Sequence, residues 1–128
     1  MSAIRAKDTR PELAVRGLLH QLGYRYRLHA RNLPGRPDIV FRNRHSVIFV
    51  HGCFWHGHNR CKLNRAPQSR RDYWIPKLEA NQRRDQEVVK RLNAAGWRSL
   101  VVWECEIANV KTLARTLRAF LGPQNLKA

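Results

Sequence analysis

Two short apolar runs, Asp38-Ile39-Val40-Phe41 and Ser46-Val47-Ile48-Phe49-Val50, stand only four residues apart. β-Branched and aromatic residues fill both, and the rigid turn Leu33-Pro34-Gly35-Arg36-Pro37 precedes the first. Such runs read as a hairpin of buried strands, with Arg42 to His45 at its tip. Upstream, Thr9-Arg10-Pro11-Glu12 has the form of a capping box, and Leu18, Leu19 and Leu22 follow at helical spacing before Gly23. The alternation Tyr-Arg-Tyr-Arg-Leu over residues 24–28 suits a half-buried strand. Downstream, residues 51–67 read as an irregular loop. A long helix follows from Pro76 to Ala95, stopped by Gly96. Residues 97–104 make another strand. Val110, Leu113, Leu117, Phe120 and Leu121 form the stripe of a last helix closed by Gly122-Pro123. Strands alternate with helices, so the expected class is α/β with a central mixed sheet, in one domain over residues 1–128.

Charge selects the partner. The chain has 25 Lys and Arg against 9 Asp and Glu, a formal charge of +16. Neutralising phosphates releases condensed counterions, so an excess of this size points to nucleic acid. Between Leu13 and Arg71 the only acidic residue is Asp38, in a stretch that holds all six histidines. Periodic apolar segments and four Trp argue against a protein that merely coats nucleic acid. Arg42 and Arg44, at the hairpin tip, are candidate phosphate contacts. No apolar run reaches the ~18 to 20 residues of a membrane span, and the first residues lack the apolar core of a secretory signal. A soluble, cytoplasmic protein with no membrane partner is expected.

Three cysteines are too few for a disulfide framework. Cys53, His58 and Cys61 offer three zinc ligands in one tight loop, and Cys105 ends a strand from which it could supply a fourth. A Cys3His site is tetrahedral and closed, hence structural. The competing reading is two unligated thiols and a buried strand cysteine. His51 and His56 are surplus to four ligands and available for proton transfer near neutral pH. Asp38 either caps a turn or, as the lone carboxylate of the basic half, serves a hard cation such as Mg2+.

The long helix carries a stripe of Trp74, Leu78, Asn81, Asp85, Val88 and Leu92. Asn81 and Asp85 interrupt it, and burying them without partners would cost several kcal/mol, roughly. Either a polar site lies beneath the helix, with Asp85 holding an imidazole, or the helix middle rides over an open cleft. Phe54-Trp55, in a basic polar loop, could stack on bases or pack over the zinc loop. Trp97 and Trp103 read as core.

In order and spacing, several segments resemble one family. They are Leu33 to Asp38, the strand Val47-Ile48-Phe49-Val50, His51-Gly52-Cys53-Phe54-Trp55-His56-Gly57-His58, Tyr73-Trp74, Trp97, and Val102-Trp103-Glu104-Cys105. Together they are similar to the very-short-patch repair (Vsr) DNA mismatch endonucleases. The resemblance implies a restriction-endonuclease-like core that nicks double-stranded DNA 5′ of the T in a T:G mismatch left by deaminated 5-methylcytosine. It implies that Asp38 binds Mg2+ together with the main-chain carbonyl of Val50. It implies His56 as catalytic histidine with Asp85 as partner, His51 as a second active-site histidine, and Glu12 as an acidic residue near it. By the same resemblance Cys53, His58, Cys61 and Cys105 ligate zinc, while Phe54, Trp55 and Trp74 intercalate beside the mismatch. Val50 and Gly52 stand where the usual nuclease motif has an acid and a lysine, which fits histidine chemistry. Two residues rather than one separate His58 from Cys61, and the longer DNA-binding arm of some relatives does not precede the first helix, so weaker affinity is expected. A bacterial monomer, with general repair proteins as further partners, completes the expectation. Two rivals remain: a related nuclease with another DNA target, and a non-catalytic zinc DNA-binding module.

Overall fold

A computed structural model describes residues 9–53 and 71–123. Helix α1 (Arg10–Gln21) opens as its sequence demands, since Thr9 is extended and its hydroxyl accepts from the Glu12 N–H at 3.3 Å. Strand β1 (Arg27–Leu28) is much shorter than the alternation over 24–28 suggests. Tyr24 is buried and Tyr26 half-buried, but Leu28 is exposed, so the alternation stops short of the strand, and ladder pairing starts only at Arg27. The expected hairpin is β2 (Ile39–Phe41) and β3 (Ser46–His51), joined by a 3-10 turn over Arg42–Arg44 and a left-handed His45. Helix α2 (Arg71–Ala94), strand β4 (Arg98–Trp103) and helix α3 (Val110–Leu121) follow.

Helix α2 begins five residues before Pro76, where the sequence suggested it would start. Proline forfeits one i→i−4 bond, here to the carbonyl of Asp72, and a helix packed along one side survives that loss. At the other end of the chain, Val110 is exposed rather than part of the α3 stripe. Leu113, Leu117 and Leu121 carry the buried face of that helix, with half-buried Phe120 packed beside them.

The described strands form one mixed sheet in the order β1-β2-β3-β4, antiparallel except for the parallel β3–β4 pair. Two-residue periodicity divides its side chains between two cores. Ile39, Phe41, Ile48 and Val102 pack with Val15 and Leu19 of α1 and with Leu113 and Leu117 of α3. Val40, Val47 and Phe49 pack with Leu92 and Val88 of α2 and with Trp97 and Val101. Trp97 and Trp103 are only half-buried; Trp97 stacks on His45 at 5.2 Å, and Trp103 meets His51 edge-on at 5.4 Å. Arg44, expected at phosphate, instead lies over the Tyr24 ring and donates through Nε to the Leu121 carbonyl at 3.1 Å. It locks the hairpin tip to the end of α3.

Gly35 sets the approach of α2 to the turn before β2. Its φ is +74°, and a Cβ there would meet Val88 Cγ1 at 2.5 Å and Phe49 at 3.3 Å. Gly17, in α1, has open space at the same position. Gly35→Ala should therefore lower unfolding free energy by about 1–3 kcal/mol. Gly17→Ala should raise it by roughly 0.5–1 kcal/mol. Chemical denaturation of the two variants checks both; similar shifts of one sign would contradict this packing.

Candidate active site

Asp38 immediately precedes β2, and its carboxylate reaches across the hairpin to accept from the Val50 N–H at 2.7 Å. Burial pushes the Asp38 carboxyl up from its ordinary 3.8 to about 6. The Val50 hydrogen bond opposes that rise, the neighbouring Glu12 carboxyl adds to it through charge and hydrogen bonding, and His29 pulls the other way. Glu12 comes from the first turn of α1 and is 1% exposed. Arg16, one helical turn on, donates to its Oε2. His29 Nε2 lies 2.8 Å from the same oxygen. The hydroxyl of Thr9 caps the N–H of Glu12, so its backbone sits where a capping-box residue should. Its carboxylate is engaged inside the molecule.

His29 owes its place to the sheet. The β1–β2 register pairs Leu28 with Ile39, so His29 falls opposite Asp38, and its N–H donates to the Asp38 carbonyl at 3.1 Å. Its backbone is left-handed, with φ +50°. One donor atom each from Glu12, His29 and Asp38 lies within 4.8 Å of the other two. A buried and a half-buried carboxylate this close disfavour each other's ionisation unless a cation stands between them. Hard cations take oxygen donors, so this pair fits Mg2+.

A cleft of about 360 Å³ opens beside Asp38 and Val50, under α2. His51 and Asp85 line it from opposite sides, with Arg36 and Arg84. A neighbouring recess of about 380 Å³ shares His51 and Asp85 and adds Gln82 and Trp103. His51 ends β3, nearly buried, with Phe49 5.8 Å and Trp103 5.4 Å from its ring. Along α2, Trp74, Leu78, Asn81, Asp85 and Val88 are all half-buried and only Leu92 is buried. The stripe is thus real, and around Asp85 it faces a cleft rather than packed core. Asn81 accepts from Arg84 at 3.2 Å.

Cys53 and Cys105 each stand two positions past the His51–Trp103 pair that closes the parallel β3–β4 ladder. Adjacent strands lie ~4.8 Å apart, so both cysteines occur at one end of the sheet. Cys53 is buried, and its N–H donates to Glu104 at 3.4 Å. Thiol donors so placed fit a zinc ion shared with the intervening loop. Trp74 is half-buried near the start of α2, edge-on to the exposed Tyr73 at 5.1 Å. Phe54, Trp55, His56, His58 and Cys61 lie outside the described residues.

Sequence reasoning missed His29 and Arg16 at the carboxylates and Arg36 and Arg84 at the cleft. The signal for His29 was the pairing of β1 with β2, which puts residues whose numbers sum to 67 opposite one another.

The fold is that of an α/β protein with a carboxylate pair at the edge of a mixed sheet, beside a cleft. Residues 1–63 match the family model described as DNA mismatch endonuclease Vsr. The chain is 56% identical over 123 residues to the type II nicking enzyme V.XorIIP of Xanthomonas oryzae, spanning 96% of this chain and 90% of that one. Over 109 residues it is 41% identical to the type II nicking enzyme V.NmeAIP of Neisseria meningitidis, spanning 85% of this chain and 77% of the relative. It is 43% identical over 107 residues to the DNA mismatch endonuclease Vsr of Escherichia coli, spanning 84% and 68%. This chain belongs to the Vsr family of DNA endonucleases.

The raised Asp38 carboxyl has a consequence for stability. Because its folded value, about 6, exceeds 3.8, its protonated form contributes stability that is complete below about 3.8 and lost as pH rises through about 6. Without added divalent cation, Asp38→Asn should be more stable than the native protein at pH 7.5, by up to roughly 3 kcal/mol. At pH 4 the difference should shrink towards zero. Thermal unfolding at the two pH values reads it, and a difference independent of pH would refute the assigned burial.

Proposed function

We propose that this protein is a strand-specific endonuclease that nicks double-stranded DNA 5′ of the T in a T:G mismatch, the start of very-short-patch repair. The observation that carries the reading is the convergence of the Glu12 and Asp38 carboxylates beside a cleft that His51 and Asp85 also line. A zinc module that only binds DNA has no use for such a cluster. The name of the Escherichia coli relative supports the mismatch as substrate. The names of the nicking-enzyme relatives support cutting of a single strand.

Asp38 and the main-chain carbonyl of Val50 hold Mg2+, with Glu12 at its side. When bound, that ion supplies electrophilic stabilisation of charge developing on the phosphate. His56 takes the proton of the attacking water, and Asp85, which lines the cleft, orients that imidazole. His51 acts at the phosphate or at the leaving oxygen. The surrounding apolar walls, Phe49, Val88 and Val101, exclude water and so strengthen each of these interactions. Zinc on Cys53, His58, Cys61 and Cys105 ties the loop that presents Phe54, Trp55 and His56, while Trp74 contributes a further aromatic surface at the mismatch. The formal charge of +16 supplies sequence-independent affinity for the duplex.

The test is a panel of labelled duplexes, T:G and matched C:G in several sequence contexts, incubated with Mg2+ and resolved by strand and position. One nick 5′ of the mismatched T, absent from C:G, is expected. Asp38→Ala and His56→Ala should abolish nicking while leaving mismatch binding intact, and Asp85→Asn should be milder than His56→Ala. Equal cutting of matched and mismatched DNA, or full activity in Asp38→Ala, contradicts the proposal.

A further inference from the structure

We infer that His29 is a third protein ligand to the cation held by Asp38 and Glu12, making the site a mixed nitrogen and oxygen centre. The inference rests on the proposed reading that Asp38 binds a divalent cation. It adds a residue from outside the motif that identifies the family.

The geometry argues for ligation in three ways. First, the backbone of His29 is fixed from both sides. Strand β1 ends immediately before it, and its N–H is bonded to the carbonyl of Asp38 at 3.1 Å. Second, a left-handed backbone is disfavoured at a non-glycine residue, and histidine keeps it here at φ +50°. Such conformations persist where the surroundings over-determine them, and they cluster at ligand sites. Third, the donor spacing suits one ion. An octahedral cation with bonds of about 2.1 Å sets its adjacent donors about 3.0 Å apart and its opposed donors about 4.2 Å apart. The His29 Nε2 to Glu12 Oε2 separation is 2.8 Å, and no pair in the Glu12, His29 and Asp38 set exceeds 4.8 Å. The cluster therefore needs to close by at most roughly half an ångström to bind as a unit.

Arg16 fits the same picture. Its guanidinium donates to Glu12 Oε2 and lies 3.4 Å from His29 Nε2, so it places positive charge against the carboxylate from the α1 side. A cation binds from the Asp38 side and competes with it for Glu12.

Ligand type has a measurable consequence. Imidazole nitrogen is a donor suited to transition-series ions, whereas Mg2+ is served by carboxylate, carbonyl and water oxygens. A His29 ligand therefore raises affinity for Mn2+ more than for Mg2+. The lost nitrogen in His29→Asn should weaken Mn2+ by at least about tenfold, the scale on which even outer partners of a ligand act. Asparagine tolerates the left-handed backbone, so the substitution spares the fold.

The experiment is Mn2+ titration of the zinc-loaded full chain, followed by electron paramagnetic resonance, with Mg2+ affinity measured by competition. Native protein, His29→Asn and Asp38→Asn are compared, with thermal unfolding as the check on folding. A nitrogen coupling on bound Mn2+ in the native protein is expected. In His29→Asn, weakened Mn2+ binding and a smaller Mn2+ to Mg2+ preference should follow. Native protein without nitrogen coupling overturns the assignment without recourse to any variant. Unchanged Mn2+ affinity in His29→Asn overturns it too, provided Asp38→Asn has lost the ion. If Asp38→Asn binds Mn2+ like the native chain, the cation reading itself fails, and the His29 assignment with it.

Discussion

The hydrogen bond from the Val50 N–H to the Asp38 carboxylate, 2.7 Å long, ties the start of one buried strand to the end of its neighbour. It sets where a negative charge sits in an otherwise basic stretch of chain. The bond depends on the β2–β3 register, which pairs Ile39 with Ile48, and that register is pinned by side chains packed on both faces. A slip of one residue would exchange the two cores and carry Asp38 away from Val50. The same packing dries the surroundings of the carboxylate, which is why burial is the largest influence raising its proton affinity.

That arrangement opposes stability to function. A solvated aspartate would stabilise the fold more, and Glu12, almost fully buried beside it, compounds the repulsion. Three features offset the strain: positive charge from Arg16 on Glu12, the hairpin N–H on Asp38, and His29 beside both carboxylates. Electrostatic catalysis gains from the same dryness, because charges interact more strongly where water is excluded. Helix α2 completes the enclosure. Gly35 lets Val88 approach the turn before β2, and the next turns of the helix bring Asp85 and Arg84 over the cleft.

Much of this was legible in the chain. The buried hairpin followed from two apolar runs, and the Thr9 cap from its box. The polar interruption at Asn81 and Asp85 left a polar site or an open cleft as alternatives below α2, and a cleft lined by Asp85 lies there. The sequence put His51 in the loop after the strand, whereas it is the last residue of β3 and lines the cleft with Asp38. Other features were hidden for physical reasons. His29 reaches Asp38 only through the register of a two-residue strand and a left-handed turn, neither of which local composition encodes. Arg16 and Glu12 look like an ordinary surface pair one helical turn apart. Pro76 suggested a helix start because proline suits a first turn, yet tertiary packing carries α2 past it. Arg44 looked like a phosphate contact because charge alone does not reveal a carbonyl waiting at the end of α3.

The central claim is that the carboxylates of Asp38 and Glu12 form the seat of a divalent cation in a DNA-cutting site. Anomalous diffraction from crystals soaked in Mn2+ tests it most directly, since manganese and zinc are separable by their absorption edges. The account predicts a manganese peak within bonding distance of the Asp38 carboxylate, on the side of Glu12. A manganese signal confined to Cys53 and Cys105, with none near Asp38, would contradict it.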